Sequence, residues 1–175
     1  MRAARVLVVA VLALGVAACG GPDGVAPKTW AKQVCTALTP WRAEIADLTS
    51  KAQQQLQAAR TPAQTKTNIV DLLAGAEASS EKARTGVSGA GVPAVDDGPK
   101  VAEQFTASLT KARDAYGNAK RTVSGLPTES AKTFYGEVSK AFSTLKDEYE
   151  RSAIDPSHVG PADLQKAFDE VPECR

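Results

Sequence analysis

The sequence predicts an all-α domain, specifically an antiparallel four-helix bundle closed by a short C-terminal helix. Three observations lead there. Four long segments carry apolar residues at intervals of three and four, the period of a helix with one buried face. No segment alternates apolar and polar residues long enough to make a strand. The composition is also wrong for a sheet protein. Of 175 residues only 5% are aromatic, and alanine supplies much of the apolar content beyond the first 18 positions, whereas sheets favour branched and aromatic side chains.

In the first segment Trp30, Val34, Leu38, Trp41, Ile45, Leu48, Ala52 and Leu56 mark one face. Pro40 interrupts the backbone hydrogen bonding, but the stripe keeps its phase across it. One bent helix over about 28–60 is therefore favoured over two helices, with Thr39 capping the second. Thr61-Pro62 then has the form of an N-cap followed by proline in the first turn. Ile69, Leu72, Leu73, Ala76 and Ala83 continue that helix, and its weakly apolar end is expected to fray near Gly86. Residues 88–98, SGAGVPAVDDG, read as the longest internal loop, with Asp96-Asp97-Gly98 as a helix-capping turn.

A third helix is expected over 99–124 from Val101, Phe105, Leu109, Ala112, Tyr116, Ala119 and Val123, ended by Gly125-Leu126-Pro127. The fourth should begin at Thr128, with Ala131, Phe134, Val138, Phe142, Leu145 and Tyr149 inward. A short helix at 162–170 presents Leu164, Ala167 and Phe168. Short connections between amphipathic helices favour up-down-up-down topology, which would return the fourth helix beside the first.

Residues 1–18 have a different character. Arg2 and Arg5 precede an uncharged run from Val6 to Val16, too short for the roughly 20 residues that span a bilayer as a helix and proportioned like a secretory signal. Val16-Ala17-Ala18-Cys19 follows, and this resembles the lipobox of bacterial lipoproteins. The resemblance implies transfer of a diacylglyceryl group to the Cys19 thiol and cleavage before it. Residues 19–27 would then be a lipidated cysteine and flexible tether, and 28–175 the folded domain. Localisation would be the extracytoplasmic face of the cell membrane, held by lipid. Without Arg2 and Arg5 the side-chain balance is −1, so lipid rather than charge must supply attachment.

Cys35 and Cys174 remain. An even number of cysteines in an oxidising compartment favours a disulfide, and one pairing is available. Such a bridge would close nearly the whole domain, worth roughly 5 kcal/mol in a chain-entropy model. Metal ligation or a reactive thiol are the weaker alternatives, because His158 is the only histidine and Cys35 has no basic neighbour. The chain also resembles a loosely defined group of small actinobacterial lipoproteins and secreted proteins. The resemblance rests on Trp30, Cys35 and Trp41 in the first helix and on the tail Ala167-Phe168-Asp169-Glu170-Val171-Pro172-Glu173-Cys174. It implies a helical extracytoplasmic domain and carries no activity.

For chemistry the sequence offers little. A net charge of +1 gives no basic field for nucleic acid. No phosphate loop, dinucleotide fingerprint, zinc-protease motif or hydrolase elbow occurs, and neither a catalytic residue, a metal site nor a cofactor is expected. His158 lies in the turn DPSHVG with no evident nucleophile. Asp169, Glu170 and Glu173 form a small acidic cluster, and residues 146–151 a mixed-charge face. Trp30 and Trp41, three helical turns apart, are core anchors or else contacts for a ligand, a partner or the membrane interface, Trp30 being the better placed for the last. The expected function is a non-catalytic binding or interaction module serving an envelope protein or small ligand. An envelope enzyme assembled from several helices and a structural spacer are the alternatives.

Overall fold

Proline and hydroxyl residues set the helix starts. In a computed structural model that describes residues 24–152 and 160–175, α1 spans Pro27–Ala58 and runs through Pro40 as one helix. α2 spans Pro62–Gly89, and Thr61 caps it by accepting from the Gln64 N–H at 3.2 Å. α3 spans Gly98–Ser124, α4 Ala131–Glu150 and α5 Ala162–Glu170, followed by a 3-10 turn at Pro172–Cys174. The described residues are all-helical apart from an isolated parallel bridge between Val25 and Pro93. The expected signal peptide, Cys19 and His158 lie outside the described residues.

Three boundaries differ from expectation. α2 does not fray at Gly86. A Cβ there would lie 2.8 Å from the Ala37 Cβ, so this glycine marks where α1 and α2 pack closely, and Val87 beyond it is buried. α4 starts at Ala131, because Ser130, not Thr128, accepts from the third amide of the helix. The expected tether is pinned at its end: the Val25 N–H donates to Val92 O and the Ala94 N–H to Val25 O, both at 2.8 Å. The last residues of the expected tether, from Gly24, are thus held against the connection between α2 and α3. At the α3 start, Asp97 occupies the cap position in left-handed backbone (φ 56°), and its side chain makes no cap hydrogen bond.

α2 and α3 form the central hairpin, with α1 on α2 and α4 on α3. Two apolar clusters result. One joins Trp30 and Val34 of α1 with Ala83 and Val87 of α2, Val101, Phe105 and Leu109 of α3, and Leu164 of α5. The other joins Ile69 and Leu73, Ala115, Ala119 and Val123, and Ala141 and Leu145, from α2, α3 and α4 in turn. α1 and α4, expected side by side, have no backbone contact.

Length and the tail explain this. At 1.5 Å per residue, α4 with its 20 residues covers about 30 Å, whereas α3 needs about 40 Å. α4 ends where the Ser108 hydroxyl donates to Ser152 O. Beyond that level α5 takes over: Phe168 stacks on Phe105 with ring centroids 5.9 Å apart and meets Trp30 edge-on at 6.0 Å. The tail then runs back along α1, where Cys174 is bonded to Cys35 with Cα atoms 5.0 Å apart. The tail thus takes the side of α1 that a longer fourth helix would have covered.

Candidate functional site

Where α4 stops and α5 begins, the α1–α4 seam stays open as a cleft of about 410 Å³. That is within the size range of small-molecule sites. Leu38, Trp41, Phe105, Leu109 and Phe168 give it an apolar body, and the Cys35–Cys174 bridge forms part of its wall. Among the described residues its polar groups are few: Arg42 from α1, Ser108 from α3, Tyr149 and Ser152 at the end of α4, Gln165 and Asp169 from α5.

Two of the lining aromatic residues, Trp41 and Tyr149, are placed by contacts outside the cleft. Trp41 is held by its indole N–H, which donates to Ser80 Oγ at 3.1 Å, while Ser80 donates to Ala76 O. Arg42 follows it on α1 and projects to solvent at the cleft. Tyr149 is partly buried against Tyr116, their ring centroids 5.9 Å apart. Burial pushes the Tyr149 hydroxyl above the ordinary phenol value, and the Arg42 guanidinium lies close enough to pull it the other way. Tyr116, deeper, is pushed up to about 12, first by burial and then by the charge of Tyr149.

The tail wall is latched by more than the disulfide. Lys28 pairs with Glu170 at 2.5 Å and Lys32 with Glu173 at 2.9 Å. These cations draw both carboxyls below the usual range. Thr39 Oγ1 also donates to Glu173 O at 3.1 Å. The C-terminal acidic cluster is thereby divided: Glu170 and Glu173 fasten the tail to α1, and Asp169 faces the cleft.

The two tryptophans part company. Trp30 is 0% exposed, its N–H donating to Gly91 O at 2.9 Å and its ring edge-on to Phe105 at 5.2 Å. It is a core anchor, and its burial takes it out of contention for a surface ligand or the membrane interface. Trp41 is half-buried and lines the cleft. Sequence reasoning missed Arg42, Tyr149 and Gln165 as neighbours. They lie on three helices, and no spacing rule brings together residues 42, 149 and 165.

Among the described residues no group of three His, Cys, Asp or Glu side chains is placed to hold a metal ion. No described helix is long and apolar enough to cross a membrane. What the site defines is a disulfide-closed helical domain with an apolar cleft whose described rim carries a few polar groups. Compared with known protein families, characterised proteins and solved structures, the chain matches none.

Proposed function

We propose that this chain is a lipid-anchored lipoprotein on the extracytoplasmic face of a bacterial cell membrane, and that it acts as a non-catalytic module binding a small ligand in the α1–α4 cleft. The four long helices are read as a bundle left open along one seam. The observation that carries the proposal is the cleft itself, which pairs an apolar body with a few polar groups, as ligand sites do. Among the described residues the polar groups of the lining are hydrogen-bond and charge contacts rather than an acid, a base and a nucleophile in mutual reach. The anchor is supported by Val16-Ala17-Ala18-Cys19 behind its apolar run. The Cys35–Cys174 disulfide accords with an oxidising compartment.

A photo-crosslinking residue at position 165, on the cleft wall, tests the binding reading in intact cells. Intact mass should show a small-molecule adduct there and none with the crosslinker at position 132, on the exposed first turn of α4. Equal adducts, or none at either position, overturn it. Labelling with a radioactive fatty acid tests the anchor, because Cys19→Ser should abolish incorporation. Equal label in both chains overturns that part alone.

A further inference from the structure

The cleft carries information about its ligand. Its described lining contains one cation, Arg42, and no ion pair or hydrogen bond with a described residue occupies that guanidinium. The Tyr149 hydroxyl beside it likewise has no partner among the described residues. A guanidinium offers a planar fork of donors that fits a carboxylate or phosphate, and a phenol adds one more. These donors come from α1 and α4, which have no backbone contact with each other. An anion accepting from both would bridge the open seam.

We infer that the cleft binds an amphiphile with a single anionic group, its head on Arg42 and Tyr149 and its apolar body against Leu38, Phe105 and Leu109. This rests on the cleft being the ligand site. Asp169 on the α5 wall sets the number of charges, because its carboxylate repels a second anionic group placed there. Phe168 keeps that wall otherwise apolar. A carboxylate and a phosphate monoanion share the chemistry that Arg42 recognises, so the head is defined by its charge and acceptor oxygens.

Two naphthalene probes separate the parts of this inference. Anilinonaphthalene sulfonate carries one anionic group; N-phenylnaphthylamine has nearly the same apolar body and no charge. Both are titrated against the purified, oxidised full chain. Cleft binding is the part lost in two filling variants, Ala112→Leu and Gln165→Trp, which cancels binding elsewhere on the chain. Gln165 is exposed, so that variant does not depend on core repacking. Arg42→Gln should weaken the sulfonate by about tenfold or more, the loss expected when a charge-assisted hydrogen bond is removed, and should leave the neutral probe nearly unchanged. Tyr149→Phe should weaken the sulfonate by a smaller factor.

If both probes bind in the cleft and Arg42→Gln moves neither, the anionic preference is overturned while the cleft stands. If neither probe responds to the filling variants, the cleft reading fails and the inference fails with it. A sulfonate affinity restored by Arg42→Lys to within about twofold would still support charge recognition, but it would overturn the forked geometry argued from the guanidinium.

Discussion

Cys35 and Cys174 are bonded across 139 residues of sequence, and their bridge forms part of the wall of the cleft that joins α1, α3, the end of α4 and α5. The bridge therefore does two jobs: it closes the domain and holds α5 in place as one side of the site. Cys35→Ser combined with Cys174→Ser should cost about 2–5 kcal/mol in urea unfolding. The loss should be local before it is global. α5 contacts only α1 and the 3-10 turn through its backbone, so hydrogen exchange should rise first in Ala162–Glu170. Uniform loss of protection across α2 and α3 at the same rate would show that the tail is not a separate unit.

The tryptophans give a second contrast. Trp30→Ala removes a fully buried ring, for which about 3–5 kcal/mol is expected, a large share of the 5–15 kcal/mol typical of a whole domain. Trp41→Ala should cost under about 3 kcal/mol, because part of that ring already faces solvent and Ser80 keeps its bond to Ala76 O. Urea unfolding of the two variants measures this directly. In the native protein acrylamide should quench Trp41 emission and largely spare Trp30. Equal costs and equal quenching would return Trp41 to the core.

Much of this fold is legible in the sequence because its cues are local. Thr61-Pro62 announces α2 through capping and proline geometry, and Ala162–Glu170 forms a helix over the span its periodicity predicts. The cysteine pairing follows from counting. What was not legible depends on neighbours. Gly86 reads as a helix breaker in one dimension and is a packing point in three. Trp30 and Trp41 share one stripe, and it takes Gly91, Phe105 of α3 and Phe168 of α5 to cover the first while the second stays half-open. The cleft draws on Leu38, Arg42, Ala112, Tyr149 and Gln165, which no local rule connects. It exists because α4 is shorter than α3, and the end of a helix is the least certain thing a periodic pattern supplies.

Two glycines should respond in opposite directions to the same substitution. Gly86→Ala places a methyl 2.8 Å from the Ala37 Cβ, so α1 and α2 must move apart, at about 1–3 kcal/mol for overpacking. Gly136 lies inside α4 with nothing within 4 Å of its would-be Cβ. Gly136→Ala should therefore stabilise by about 0.5–1 kcal/mol, the helix-propensity difference. Thermal unfolding of both variants is the measurement. A stabilised Gly86→Ala would mean that the α1–α2 contact tolerates separation and is not set by this residue.

The last prediction concerns acid. Glu81 accepts from Arg84 at 2.6 Å within α2 and from Arg113 of α3 at 2.7 Å. These hydrogen bonds hold its carboxyl at about 2, against an ordinary value of 4.5. A carboxyl lowered in the folded state stabilises that state above its unfolded value and ceases to as pH falls through its folded value. The Glu81 contribution should then be complete above about pH 4.5 and disappear towards pH 2. The groups are partly exposed, and ion pairs open to solvent are weak, so the effect is a change of slope rather than a collapse. Melting temperatures of wild type and Glu81→Gln should differ at neutral pH, with wild type higher, and converge as pH approaches 2. Added salt should narrow the neutral gap. A gap that persists unchanged at pH 2 would assign the effect of Glu81 to packing rather than to its charge between the two arginines.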